Sequence, residues 1–556
     1  MTGKTAIMGL LTLLIQLNLS GQYHPWEVVS LSFFASEVYE NPYSLVPVYG
    51  GEDMLQVTFK GESGEAEGRE LTLAGFWDGE NRWKVNFSAP CSGIWTYSSH
   101  SGDAGLHNKK GKVEVEAWTE KEVQANPIRN GLVTVRKTGE QKGHFFEYTN
   151  GIPFLWIGDT WWNWTQRKIP FETYEALVND RAAKGFTLGQ LFVPGNGWGR
   201  ESSVLDETYT KLDLSHMMHV ERMIQYANSK GITVWVHAWW SRENIDERIG
   251  EEKMMRWWKY LVSRLGAYNV IWTLAGEYNM YNNGGFDLDF WKRLGSMVDA
   301  EDPYDRIISL HNTPPFWDGG AEAPQWSTGS VLHDEEWLDY NQSQVGHGRY
   351  ANEMIPQVIR EEYSREPAKP IVVTEPWYEF VEGNPTGRDI RLAAWGAILS
   401  GAAGHTYGGG HVWLAHLPEM PSRGGTWPLE ESFERNTFNY EGARSMQHLA
   451  TFFNEVTWWE MVPHPELIFE YPQPFCLASP GNEYVIYLRY GGTFKLNMKE
   501  YSGEEFTSAW YNPATGIRSE MKAFEADGIV QFTCPGSYPS DTELKDWVLL
   551  IKKKQQ

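Results

Sequence analysis

Cysteine is scarce in this chain of 556 residues, which holds only Cys91, Cys476 and Cys534. Three thiols build neither a disulfide scaffold nor a Cys-based zinc module. Cys476 and Cys534 fall in the same C-terminal region, which leaves two readings: a disulfide between them, or two buried thiols. Basic residues are also short, 48 Lys and Arg against 72 Asp and Glu, for a net charge of −24. Binding to nucleic acid needs a basic footprint, and docking on an anionic membrane does too, so neither is an expected partner. Beyond the N-terminus no run of about 20 apolar residues could span a bilayer. No Gly-rich phosphate turn, HExxH pair or GxSxG elbow occurs at a strand end. Neither a metal nor a cofactor is expected.

At roughly 150 residues per domain, the length suggests two to four domains. Residues 1–21 read as a signal peptide: Lys4 precedes the apolar run Ala6–Leu17, and small and polar residues follow from Asn18 to Gly21. The expectation is a secreted or periplasmic protein, with no membrane-spanning segment once the leader is removed. Residues 22–120 alternate apolar and polar positions with period two, as in Leu55–Phe59, Arg82–Phe87 and Lys112–Glu116, and predict a β-sandwich. Residues 446–556 return to the same texture in Tyr484–Arg489, Ile529–Thr533 and Trp547–Ile551, a second β-sandwich.

Between them, residues 121–445 interleave short apolar runs with helical segments. The runs are Phe154–Ile157, Leu188–Val193, Thr233–Val236, Val270–Leu274, Ile307–Leu310, one within Ser327–Tyr340, Ile371–Thr374 and Gly404–Tyr407. The helical segments are Glu172–Lys184, Ser215–Lys230, Glu251–Leu265, Phe286–Ala300 and Arg388–Leu399, several closed by a glycine. Eight strands at this spacing predict a (β/α)8 TIM barrel, with a doubly wound open sheet as the competitor.

In such a barrel the chemistry sits where the strands end. Glu277 and Glu375 terminate the fourth and seventh runs, nearly opposite one another. Two facing carboxyls are what glycoside cleavage needs, one to protonate the leaving oxygen and one to attack or to guide water. Asp159, His237, His311, His347, His405 and Tyr407 are candidate pocket residues. Trp161, Trp162, Trp239 and Trp377 are candidate sugar platforms, in a chain where Trp (28) is as frequent as Tyr (27). The competing reading is a non-catalytic carbohydrate-binding protein on a barrel scaffold. Carbohydrate is the expected partner on either reading.

The barrel resembles the apiosidase-like glycoside hydrolases, glycoside hydrolase family 140 and its relatives. Phe154–Asp159, Asn269–Glu277, Ile308–His311, Gln344–His347, Lys369–Glu379 and Gly404–Gly408 with Trp413 carry the likeness. The N-terminal region is similar to the sandwich that often precedes these barrels, through Asn41-Pro42, Gly75–Gly79 and Gly93–Tyr97. The C-terminal one resembles the domain often called collagen-binding in such proteins. The likeness implies a retaining mechanism, with Glu277 as acid/base and Glu375 as nucleophile. It leaves apiose or another furanoside possible as the sugar removed. The long insertions Pro194–Asp213 and Asn312–Asp334 are expected to wall the site, which favours a pocket and exo-action on a side chain of a plant or algal polysaccharide. Where the family commonly has Gly-Gly-Asp, this chain has Ala275-Gly276-Glu277, so the pocket floor differs and apiose itself is not implied.

Overall fold

The computed structural model describes residues 23–44, 55–195, 203–241, 245–280, 285–315, 325–415, 437–536 and 545–554. The expected signal peptide therefore lies outside the described residues. No helix is long and apolar enough to cross a membrane among the described residues.

Eight parallel strands form the centre: β1 (Trp156–Trp161), β2 (Leu188–Phe192), β3 (Thr233–His237), β4 (Val270–Thr273), β5 (Ile308–Ser309), β6 (Asn341–Gln344), β7 (Ile371–Glu375) and β8 (Gly404–Tyr407). Their hydrogen-bonded order is 5-4-3-2-1-8-7-6. The seam between β5 and β6 is closed by single bonds rather than a ladder. Asp339 N donates to Ile308 O at 3.0 Å, and Ser309 Oγ donates to Tyr340 O at 2.7 Å. The Asn312 side chain imitates a strand there: it accepts from Gln344 N at 3.1 Å and donates to Gln344 O at 3.2 Å. This is the expected TIM barrel.

Helices cover the barrel: α1 (Phe171–Ala183), α2 (Leu214–Ser229), α3 (Ile245–Leu265), α4 (Leu288–Glu301), α5 (Arg349–Tyr363), α6 (Gly387–Ile398) and α7 (Glu441–Phe453). Several predicted boundaries move. The sixth strand falls at Asn341–Gln344, after the stretch expected to hold it. α3 begins six residues early and kinks at Gly250, whose φ of 69° is open to glycine. α5 lies where no helix was expected, and it carries Pro356 inside. α7 crosses the expected domain boundary at 445/446 and packs on α6.

Alternation along the strands sorts the barrel. Inward side chains stack in layers. Trp156, Trp235 and Tyr340 pack at the bottom. Polar groups come next above: Trp156 Nε1 donates to Thr406 Oγ1 at 3.1 Å, and Trp235 Nε1 donates to Thr273 Oγ1 at 2.6 Å.

Antiparallel strands flank the barrel on both sides. The N-terminal part pairs Val28–Phe34 with Arg82–Ser88 and Phe76–Trp77, beside a second sheet of Glu70–Ala74, Gln56–Gly61, Gly93–His100 and Lys110–Val115. Its hydrophobic core is continuous with the layer between barrel and helices. Arg264 of α3 reaches across to Asp78 at 3.1 Å and to Glu221 at 2.6 Å.

The C-terminal part has a larger sheet built on Glu483–Leu488, Trp547–Lys553 and Glu505–Asn512, and a smaller one of Ile468–Phe469, Thr493–Asn497 and Ile529–Thr533. Cys476 and Cys534 sit in the core between these sheets and form no disulfide, and Cys91 is also buried without one, so the pair is two buried thiols rather than a bridge.

The C-terminal part is pinned by a buried ion pair. Arg391 of α6 donates to Asp546 through Nε at 3.0 Å and through Nη2 at 3.2 Å, and Tyr487 donates to the same carboxylate at 3.0 Å. Removing one partner of a buried pair leaves a stranded charge. Asp546→Ala should therefore lower stability by about 3 kcal/mol. Replacing both partners, Arg391→Met with Asp546→Leu, should recover most of that loss. Urea midpoints of the two variants check this, and equal midpoints would refute it.

Candidate active site

The top inward layer of the barrel gathers Trp162, Trp240, Glu277, His311, Gln344 and Glu375. Each arrives there for a local reason. On β4 the inward phase runs Ile271, Thr273, Ala275, Glu277. The ladder continues past the strand's end: Gly276 N donates to Trp239 O at 2.8 Å, and Tyr278 N donates to His311 O at 3.2 Å. Glu277 itself has φ 47°, sparsely populated for a side chain with a Cβ. The pairing on both sides of it holds that conformation in place, as strained residues at functional sites require.

Glu375 reaches the same layer through a bulge. Ser343 pairs with Val373, but Gln344 pairs with Glu375, so Thr374 is the extra residue on β7. One inserted residue reverses the facing of the residues after it. Without the bulge, Glu375 would share the outward phase of Ile371 and Val373.

The two carboxyls meet different partners. Glu277 is 9% exposed and accepts from Trp240 Nε1 and from Gln344 Nε2, each at 3.0 Å. Burial raises its pKa, the charge of Glu375 adds to that, and together they bring it to about 7. Glu375 is 5% exposed. Its Oε2 lies 3.2 Å from His311 Nε2 and its Oε1 lies 3.4 Å from His347 Nε2. Burial alone would raise Glu375, but the two histidines outweigh it and hold the carboxyl at about 2. Tyr378 also hydrogen-bonds Glu375, and burial and that carboxylate's charge together keep its phenol protonated.

Supporting groups hold these partners. His311 Nδ1 lies 3.1 Å from Gln342 Oε1 and 3.2 Å from Thr374 Oγ1. An apolar cluster of Trp162, Phe192, Trp240, Tyr378, Val381 and Trp413 surrounds the carboxyls. Trp162 donates to the Tyr378 hydroxyl at 3.2 Å and meets Trp240 edge-on at 5.1 Å.

Of the residues expected from sequence, the structure brings together Glu277, Glu375, Trp162, His311 and His347. His237 lies one layer beneath, fully buried under Trp162, with its Nε2 3.0 Å from Gln190 Nε2. The other expectations are corrected. Asp159 and Trp161 are on the outward phase of β1. Asp159 accepts from Arg181 Nε of α1 at 2.6 Å and from Trp161 Nε1 at 2.8 Å, with no exposure. Trp161 packs edge-on against Tyr174 in the helix layer. His405 and Tyr407 are outward on β8. Burial pushes the His405 imidazole down to about 3, and Tyr407 donates to Glu379 at 2.7 Å. Trp239 turns outward to Asp246 at 2.7 Å, leaving its neighbour Trp240 at the site. Trp377 binds the loop carbonyls of Val381 and Glu382, both at 2.8 Å.

Gln344 and Tyr378 were not singled out from sequence. Their signal was position: Gln344 ends a strand, and Tyr378 comes three residues after Glu375. No group of three or more acidic, His or Cys side chains suits a metal ion among the described residues. The segments Pro194–Asp213 and Asn312–Asp334, expected to wall the mouth, fall partly outside the described residues.

An eight-stranded barrel with buried carboxyls at the ends of strands four and seven is a glycoside hydrolase-like arrangement. Residues 140–460 match the family described as "Apiosidase-like, catalytic domain". That match spans more than half of the chain, and the chain belongs to this family. Residues 462–552 match a "Putative collagen-binding domain of a collagenase", and residues 22–102 match a domain of unknown function, DUF5060.

Among solved structures, a glycoside hydrolase family 5 protein from Bacteroides vulgatus ATCC 8482 is similar at 20% identity and TM-score 0.66, covering 77% of this chain and 94% of that one. A "putative glycoside hydrolase" from the same organism is similar at 18% identity and TM-score 0.67, covering 96% of this chain and 100% of that one. At these identities the likeness is one of fold. No curated protein matches the chain.

Gly276 gives this geometry a direct test. A Cβ at Gly276 would meet Trp240 Cε3 at 2.4 Å, so the indole must move and release Glu277. Gly276→Ala should cost about 1–3 kcal/mol by overpacking. It should also shift the titration of Glu277, followed by carboxyl NMR. A variant with unchanged stability and titration would show that Trp240 does not depend on the glycine.

Proposed function

We propose that this chain is a retaining glycoside hydrolase in which Glu277 is the acid/base and Glu375 the nucleophile. The observation that carries this reading is that two buried carboxyls at the ends of the fourth and seventh strands meet opposite surroundings: Glu375 meets two imidazoles and a phenol, Glu277 an indole and a carboxamide, so the pKa of Glu277 is raised and that of Glu375 lowered. A protonated carboxyl facing an ionised one is the starting state that double displacement needs. Glu277 gives its proton to the glycosidic oxygen as that C–O bond breaks, while Glu375 bonds to the anomeric carbon. Glu277, now ionised, takes a proton from water, and the water oxygen displaces Glu375. The sugar leaves with its anomeric configuration retained. His311, His347 and Tyr378 stabilise the carboxylate before attack and after its release. Trp162 and Trp240 exclude water and offer ring faces to the sugar.

The substrate proposed is a polysaccharide side chain cut from its end, an apiosyl or other furanosyl unit. Family membership supports a furanoside. The longer Glu277, in place of the family's common aspartate, leaves the sugar itself to experiment. A secreted or periplasmic location is proposed from the leader-like N-terminus.

The test is a screen of furanosides and pyranosides with products identified, run beside Glu375→Gln, and with the first anomer followed by proton NMR. Glu277→Gln should lower kcat by about 10²–10⁴ on glycosides with poor leaving groups while leaving binding intact. Inverted product, or undiminished turnover in either variant, would refute the assignment.

Because Glu375 must be ionised and Glu277 protonated, kcat/KM should be high between about 2 and about 7. It should fall about tenfold per pH unit above the upper limit. His347→Ala removes a partner of Glu375 and should move the acidic limb upward while the alkaline limb stays. A stationary acidic limb would exclude His347 from that role.

A further inference from the structure

Away from the mouth, a groove of about 520 Å³ separates α5 from the C-terminal sandwich. Tyr350 and Arg360 of α5 line one side, with Gln473, Phe475 and Arg489 opposite. Arg489 is only 4% exposed. Its guanidinium lies over the Phe475 ring at 5.5 Å, and Nη1 donates to Gln473 Oε1 at 2.8 Å. Its Nε finds no acceptor among the described residues.

Burying a guanidinium with donors unmet is costly unless something else meets them. Neighbouring arginines have carboxylate partners: Arg365 has Glu362, and Arg391 has Glu441 and Asp546. Neither Arg489 nor Arg360 pairs with a carboxylate among the described residues. Arg360 makes only a long bond to Ser400 Oγ at 3.5 Å. In a chain of net charge −24, two arginines without carboxylates on one groove are a selective feature. The planar fork of arginine matches a carboxylate ligand.

The rim adds a second element. Tyr350 is 60% exposed and lines the same groove, ten residues before Arg360 on α5. It also lies three residues beyond His347, the partner of Glu375. Glu353 lines the same wall between Tyr350 and Arg360.

We propose that this groove is an accessory saccharide site that takes a uronate-containing oligosaccharide, one carboxylate on Arg489 and Arg360 and a further sugar ring against Tyr350. A saccharide is favoured over a simple anion because the groove joins a charged end to an exposed aromatic ring. The site is separable from the hydrolase reading, since it is measured by binding without turnover.

The experiment uses the full chain carrying Glu375→Gln and titrates it calorimetrically with a galacturonate hexamer. The same hexamer with its carboxyls reduced to alcohols is the second arm. The carboxylated oligomer should bind at least about tenfold more tightly, and added salt should weaken it. Tyr350→Ala and Arg360→Gln are exposed changes that leave the fold intact, and each should reduce affinity several-fold. Arg489→Lys keeps the charge but loses the fork, and should do the same. Equal binding of the two oligomers, no binding of either, or unchanged affinity in all three variants would overturn the proposal. Turnover of a small aryl glycoside by the chain with Glu375 intact should be unaffected by Arg360→Gln. That result keeps failure of the groove distinct from failure of the active-site assignment.

Discussion

Two carboxyl groups buried together in a barrel mouth cannot both stay ionised at little cost. The charge of Glu375 adds to burial in favouring the proton on Glu277. The surroundings break the tie. Glu375 faces two imidazoles and a phenol, while Glu277 faces a carboxamide and an indole, which stabilise a negative charge less. The asymmetry does not come from burial, which is nearly the same for both. It comes from which donors the neighbouring strands supply.

Those donors depend on alternation along the strands, and the alternation is adjusted at two points. The Thr374 bulge turns Glu375 inward beside Gln344, so one register irregularity places the nucleophile candidate and pairs it with the residue that holds Glu277. At the β5–β6 seam, Asn312 replaces a missing backbone ladder and fixes Gln344 by both its N–H and its C=O. The place where the barrel is weakest as a sheet is thus where the site is most tightly stitched by side chains.

Much of the fold was legible because six strands are or begin as apolar runs and five helices end near a glycine or a proline. The sixth strand was displaced for a physical reason. Its sequence is Asn-Gln-Ser-Gln, wholly polar and wholly buried, so no hydrophobic signal marks it. α5 was missed because Pro356 interrupts an otherwise amphipathic pattern. Within the site, the expectation that polar residues after an apolar run face the mouth held where the strand had already ended, at Glu277 and His311. It failed where the strand continued through the polar residues. Asp159, His405 and Tyr407 are inside β1 and β8 on the outward phase, so they face away from the mouth: Asp159 pairs with Arg181 and Tyr407 donates to Glu379. Trp161 and Trp162 differ by one position and face opposite sides for the same reason. The bulge that turns Glu375 inward has no sequence signature of its own.

The glutamate at position 277 fits its setting in a way an aspartate would not. Its backbone lies at φ 47°, which swings Cα–Cβ away from the ordinary strand direction. Gly276 lets the Trp240 indole lie directly over the preceding peptide, and that indole donates to the carboxyl. A side chain shorter by one methylene would leave Trp240 Nε1 or Gln344 Nε2 without its acceptor, since both reach Glu277 at 3.0 Å from different strands. An unmet donor in this layer would cost about 1–3 kcal/mol. The departure from the family's usual aspartate is therefore coupled to Trp240 and Gln344, and the three residues form one unit that sets the depth of the pocket floor.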